Sequence, residues 1–121
     1  MADVSIINYG MGNLASVDNA FRRLGATSEI VSSENEIKRS NRIVLPGVGS
    51  FADAMENLRE LDIIGILSEQ ILIDKKPFLG ICLGMQLISS FSEEGNAEGL
   101  NWINARVNKM KSKHPEFRIP H

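Results

Sequence analysis

The chemistry in this chain centres on its one cysteine, Cys82, which stands between Gly80 and Gly84. It follows the short apolar run Pro77-Phe78-Leu79 and precedes residues that open a helix. Gly80-x-Cys82-x-Gly84 is the thiol form of a nucleophile elbow, in which the nucleophile sits on a sharp strand-to-helix turn. Small residues on either side let backbone and helix approach closely. The positive end of the helix dipole favours the thiolate that would do the attacking. The amide N–H of Leu83 is then placed to hold an oxyanion. A lone cysteine is more often a buried structural residue. Here the strand, the two glycines and the helix start favour the nucleophile.

Two further glycine-rich stretches precede the elbow. Gly10-Met-Gly-Asn13 follows the apolar Val4-Ser-Ile-Ile-Asn-Tyr9, and Pro46-Gly-Val-Gly49 follows Arg42-Ile-Val-Leu45. Both apolar runs read as buried strands, as does Thr27-Ser-Glu-Ile-Val31. Helical spacing of Leu14, Val17, Phe21 and Leu24 predicts a helix stopped by Gly25. Ser50 is a candidate N-cap for an amphipathic helix through Phe51, Ala54, Met55 and Leu58. A further helix is expected over about Ile63 to Asp74, and a short one from Met85 to Phe91. Ser32 to Asn41 reads as a polar segment, Ser92 to Gly99 as a loop, and Trp102 to Val107 as a last strand. Strands alternating with helices imply parallel β-α-β units. Ligands of such sheets collect at the carboxyl ends of the strands, so all three glycine-bearing loops should meet in one crevice.

Composition is that of an ordinary globular domain: 121 residues, 43% hydrophobic, 23% charged, net charge −2. That balance suggests neither nucleic-acid nor bulk-membrane binding. A single cysteine excludes an internal disulfide and fits a reducing compartment. The opening residues are too polar and too few for a signal or a membrane span, so the expected location is the cytoplasm. Two histidines and one cysteine do not form a plausible metal set, and no cofactor is expected.

Asn8-Tyr-Gly-Met-Gly-Asn13, Leu45-Pro-Gly-Val-Gly49 and Leu79-Gly-Ile-Cys-Leu-Gly-Met-Gln86 together resemble the class I (triad-type) glutamine amidotransferases. In detail they are similar to the HisH glutaminase subunits of imidazole glycerol phosphate synthase, as are Ser92-Glu-Glu-Gly95 and Ile119-Pro-His121. The resemblance implies an α/β fold. It would be a partial doubly wound, flavodoxin-like parallel sheet with helices on both faces, truncated before the family's C-terminal strands. Residues 1–121 are then the N-terminal, incomplete part of an amidotransferase domain. Loss of later strands predicts exposed apolar surface, marginal stability and self-association, or completion by another chain.

The resemblance also implies roles. Cys82 would attack the side-chain amide of glutamine, form a glutamyl thioester and release ammonia. Backbone donors of Val48 and Leu83, with Gly49 beside them, would form the oxyanion hole. Gly47 and Gly49 would let that loop approach the substrate, through a peptide flip when the partner engages. Gln86 and Glu94 would contact bound glutamine, Glu94 through the α-ammonium group. Asn13 would face the partner, a cyclase (β/α)8-barrel synthase subunit that consumes the ammonia. The residues alone leave Gln86 as an exposed helix residue, Glu94 as a solvated carboxylate and the Asn13 turn as a plain connection.

One departure from the family pattern matters most. The general base and its orienting carboxylate, a His-x-Glu pair, come far downstream of the nucleophile in the family, past residue 121. His114-Pro115-Glu116 mimics that string, but it lies just before Arg118-Ile-Pro-His121, a mid-chain landmark of the family. His114 therefore reads as a loop histidine, and His121 has no orienting partner in sequence. Without its base the site would lose orders of magnitude in rate while the thiol stays open to alkylation.

Other readings start from other residues. Gly10-x-Gly12-x-x-Ala15 after a strand also fits a dinucleotide fingerprint, with Glu29 or Glu34 for a ribose, but it leaves the elbow unexplained. A non-catalytic docking subunit would use the same fold without turnover. Leu100-Asn-Trp-Ile103 departs from the pattern expected of the histidine-pathway enzyme, which keeps open a paralogue that amidinates bacterial surface sugars.

Overall fold

In a computed structural model of the chain, residues 2–110 are described. His114, Glu116 and His121 lie outside them. Four parallel strands form the main sheet in the order β2-β1-β3-β4: β1 (Val4–Ile7), β2 (Ser28–Val31), β3 (Ile43–Leu45) and β4 (Phe78–Gly80). Every residue of the two central strands is buried, as a sheet covered on both faces requires.

Alternation along the strands divides the core into two layers. Val4, Ile6 and Val44 face α1 (Leu14–Arg23), packing against its Leu14, Val17 and Phe21. Ile7, Ile43 and Leu45 face the other way. There they meet α2 (Glu34–Arg39), α3 (Phe51–Glu60) and α4 (Ile64–Ser68), through Ile37, Phe51, Leu58 and Leu67, all fully buried. The register sets Ile30, Ile6, Val44 and Leu79 side by side across all four strands. Helix α1 buries the middle pair and leaves the two edge residues about half exposed. The flavodoxin-like arrangement with helices on both faces is therefore present.

Several elements depart from the sequence expectation. Ser32 to Asn41 is not a plain polar segment, because α2 forms within it. Its start is a capping box: the Ser33 hydroxyl accepts from the Glu36 amide while the Glu36 carboxylate accepts from the Ser33 amide. Helix α5 runs over Leu83–Gln86, directly after Cys82 and for one turn only, rather than from Met85 to Phe91. The stretch from Ile63 to Asp74 is two helical forms, α4 and then a π-helical turn over Glu69–Ile73. In that wider turn the buried Gln70 amide donates to Asp74 at 2.9 Å, and the Gln70 carbonyl accepts from the Lys76 amide at 3.1 Å.

The segment read as a loop, Ser92 to Gly99, instead contributes to a second small sheet. Strand β5 (Phe91–Ser92) pairs antiparallel with β6 (Ala97–Glu98) and parallel with β7 (Arg106–Val107). The strand expected over Trp102 to Val107 shrinks to those last two residues. The Trp102 side chain explains why: it turns inward, its indole N–H donating to Ser68 Oγ at 2.9 Å and its ring meeting Phe78 edge-on at 5.1 Å.

The capping box generates a test that separates α2 from a polar loop. Ser33→Ala is expected to cost about 1 kcal/mol of stability in urea unfolding, the usual loss on removing an N-cap hydroxyl. A loop would lose almost nothing.

Candidate active site

Cys82 occupies the turn between β4 and α5 with φ 52° and ψ −118°, a region that side-chain-bearing residues rarely adopt. Holding a non-glycine residue there costs on the order of 1–3 kcal/mol, so the surroundings must impose it. They do so from both sides. Ahead of the cysteine, the Ile81 amide donates to the Leu45 carbonyl at 3.0 Å. Behind it, the Cys82 carbonyl accepts from the amides of Met85 and Gln86, at 3.0 and 3.3 Å. Cys82 is free and exposed.

The flanking glycines are sterically required. A Cβ on Gly80 would stand 2.8 Å from the Met85 Cα, so β4 and α5 could not touch. One on Gly84 would fall directly on the Leu45 carbonyl. The elbow thus presses against the end of β3, where the second glycine loop begins.

That second loop, Pro46 to Gly49, lies along the elbow. Pro46 and Gly47 are buried, whereas Val48 is 61% exposed. A Cβ on Gly47 would stand directly against the Tyr9 hydroxyl, 3.1 Å from the Leu83 Cβ and 3.2 Å from the Gly84 amide nitrogen. The Leu83 amide donates to the Gly47 carbonyl at 3.3 Å. In this arrangement the amide expected to hold an oxyanion is engaged by the loop itself.

The first loop completes the cluster. A Cβ on Gly12 would lie 3.4 Å from the Gly47 Cα, and one on Gly49 would lie 3.0 Å from the Met11 Cε. The three glycine-bearing loops therefore meet at the carboxyl ends of β1, β3 and β4, the crevice position expected of an open parallel sheet. Asn13 caps α1, its side-chain oxygen accepting from the Ser16 amide at 3.2 Å, and is exposed. Gln86 is half-buried on α5. Glu94 is exposed on a turn whose amide donates to Ser92 Oγ at 3.1 Å. The neighbouring Gly95 rests on Ala52 at the start of α3, just beyond the Gly47–Gly49 loop.

Two residues around the site were not singled out in the sequence. The Asn57 side chain donates to the Tyr9 carbonyl at 3.0 Å, and the Tyr9 hydroxyl donates to the Pro46 carbonyl at 2.5 Å. Burial pushes the Tyr9 phenol far up, so it stays protonated as a donor. Tyr9 stands in the Asn8-Tyr-Gly-Met-Gly-Asn13 stretch, at the end of a buried apolar run, but nothing in the spacing points its hydroxyl to Pro46. A cleft of about 560 Å³ opens nearby among Asn8, Ser32, Asn57 and Glu60, and Cys82 is not in its lining. Among the described residues no helix is long and apolar enough to cross a membrane. No cluster of three or more metal-ligating side chains occurs among them either.

The steric reading of the glycines predicts opposite signs for one chemical change. Gly84→Ala should cost about 3 kcal/mol in thermal or urea unfolding, the upper end of the usual overpacking cost, because the methyl has no space. Gly65→Ala, in α4 with nothing within 4 Å of the added carbon, should gain about 0.4–1 kcal/mol.

Known proteins resemble the chain in both sequence and fold. The imidazole glycerol phosphate synthase subunit HisH of Prochlorococcus marinus (strain MIT 9211) is 50% identical over 119 residues, covering 98% of this chain and 55% of the relative. HisH 2 of Methanococcus maripaludis is 44% identical over 118 residues, covering 98% of this chain and 58% of the relative. The chain thus spans little more than half the length of these curated relatives. A crystal structure of a glutamine amidotransferase superposes with a TM-score of 0.75 at 18% identity, over 88% of this chain and 56% of that one. A peptidase E protein from Listeria monocytogenes EGD-e shares the fold at a TM-score of 0.69 and 15% identity, over 84% of this chain and 62% of that one. The glutamine amidotransferase class-I family matches residues 5–119, nearly the whole sequence, and the chain belongs to that family.

Proposed function

We propose that this chain carries the nucleophile half of a glutaminase subunit that supplies ammonia to a cyclase (β/α)8-barrel synthase in histidine biosynthesis. The observation that carries the reading is Cys82, exposed at positive φ between two glycines whose absent side chains make the turn possible. The names of the relatives support the pathway.

In the proposed reaction the Cys82 sulfur forms a bond to the side-chain amide carbon of glutamine. The carbonyl oxygen becomes an oxyanion, and collapse of the tetrahedral intermediate breaks the C–N bond. Nitrogen leaves as ammonia after taking the proton that the thiol gave up to a general base. Water then cleaves the thioester, returning the thiol and releasing glutamate. The base is the downstream His-x-Glu pair that the family resemblance implies.

The oxyanion needs two donors, and the Leu83 amide is the first. In the structure it is occupied by the Gly47 carbonyl. Turning the Gly47–Val48 peptide would withdraw that carbonyl and bring the Val48 N–H to the same side, converting a blocked position into a two-donor hole. Gly47 has no Cβ to oppose the rotation. Gln86 and Glu94 would hold the glutamine backbone and side chain, Glu94 through the α-ammonium group. The exposed Asn13 turn beside the oxyanion loop would face the barrel, so that docking could act on the peptide. The ammonia would pass to the barrel without entering bulk solvent.

Labelling with a diazoketone analogue of glutamine tests the nucleophile. The expected outcome is one adduct, mapped to Cys82 by peptide mass spectrometry, suppressed by glutamine and absent from Cys82→Ala. An adduct on another residue, or one that glutamine does not suppress, would contradict the assignment.

A further inference from the structure

We infer that Tyr9 is a positioning residue for the oxyanion loop, its hydroxyl fixing the peptide on which the loop turns. The inference rests on the glutaminase reading and adds to it a residue outside the three glycine motifs' backbone chemistry.

Three successive carbonyls, those of Leu45, Pro46 and Gly47, are each held by one donor. The first accepts from the Ile81 amide at 3.0 Å and the third from the Leu83 amide at 3.3 Å, both donors belonging to the elbow. The middle one accepts from the Tyr9 hydroxyl at 2.5 Å. Among the described residues, the donor to Pro46 is thus Tyr9, which stands just past the end of β1, 37 residues away in the chain. Its ring is 3% exposed in the main core, and its own carbonyl is fixed by Asn57 at 3.0 Å. The hydroxyl is therefore carried on a rigid arm.

The consequence follows from the geometry of a peptide rotation. A flip between Gly47 and Val48 leaves the preceding Pro46–Gly47 peptide in place only if something holds it. The elbow cannot do so once the Leu83–Gly47 bond opens, because that bond is the one surrendered. The Tyr9 hydroxyl remains. It also lies directly against the position a Gly47 side chain would take, so any larger residue at the pivot would have to displace that hydroxyl. Without the hydroxyl, Pro46 gains freedom and the Val48 amide reaches the oxyanion position in a smaller share of conformations. Sulfur reactivity itself should be little changed, since the Tyr9 hydroxyl bonds to Pro46 and not to Cys82.

Tyr9→Phe removes the hydroxyl and keeps the ring. Two rates of Cys82 modification are compared with the wild type: one with the diazoketone analogue of glutamine, one with iodoacetamide, which needs no oxyanion hole. The directed rate should fall about five- to tenfold, the size expected from one lost hydrogen bond, while the iodoacetamide rate stays within twofold. Equal directed rates would overturn the inference. So would a parallel fall in both rates, which would mean general disruption of the elbow. Amide hydrogen exchange of Leu83 is the readout that needs no glutamine chemistry, and it should quicken about five- to tenfold in Tyr9→Phe. Unchanged exchange would refute the tether. If wild-type protein shows no glutamine-suppressible labelling, the glutaminase reading fails, and the exchange experiment still decides on Tyr9.

Discussion

Three hydrogen bonds to consecutive carbonyls at the end of β3 fix the loop that follows, two from the Cys82 turn and one from Tyr9, and the architecture of the site depends on them. The Leu45 and Gly47 carbonyls are taken by amides on either side of Cys82, the Pro46 carbonyl by Tyr9. Because these donors and acceptors are buried or nearly so, leaving one unmade would cost on the order of 1–3 kcal/mol. The strain at Cys82 is of comparable size, so the interlock is sufficient to hold the turn. Gly84 is needed at the contact because a methyl there would fall on the Leu45 carbonyl, and Gly47 because a methyl there would press on the Tyr9 hydroxyl and the Leu83 side chain. The parallel sheet supplies the rest: it ends β1, β3 and β4 at one level and so brings their loops into one crevice.

Much of this was legible in the sequence because it depends on local sterics. Glycines at Gly80 and Gly84 mark close backbone contacts, Gly47 a close side-chain approach and Gly12 a positive φ, and the buried runs before them mark the strands. The helix after Ser50 was equally visible, since its cap and apolar face repeat one message over ten residues. Misreadings occurred where distant partners decide. Helix α2 is six residues with one buried position, Ile37, too little for periodicity, although Ser33 and Glu36 carried its capping signal. The small sheet of β5, β6 and β7 has two-residue strands, held by pairing with one another and by packing on α3 rather than by intrinsic preference. Trp102 ended the expected last strand by reaching into the core for Ser68 and Phe78.

The meeting of the three glycine loops was legible in the sequence, but the hydrogen bonds among them were not. Spacing sets the Leu83 amide next to Cys82, but does not reveal that the Gly47 carbonyl accepts from it. Nor does spacing reveal that Tyr9 crosses from β1 to hold Pro46. Both facts depend on the register between strands, and only the assembled sheet sets them. They give the family assignment a physical content: a cysteine at positive φ stands beside a glycine loop whose Gly47 carbonyl takes the Leu83 amide, a bond that must open before that amide could serve a substrate oxygen.

The most direct test of this account is a crystal structure of the protein with a glutamine-derived ketone bound covalently to Cys82. The account predicts that the adduct oxygen lies within hydrogen-bonding distance of the Leu83 and Val48 amides, with the Gly47 carbonyl turned away and Tyr9 still on Pro46. An adduct oxygen pointing to solvent, with Gly47 still accepting from Leu83, would contradict it.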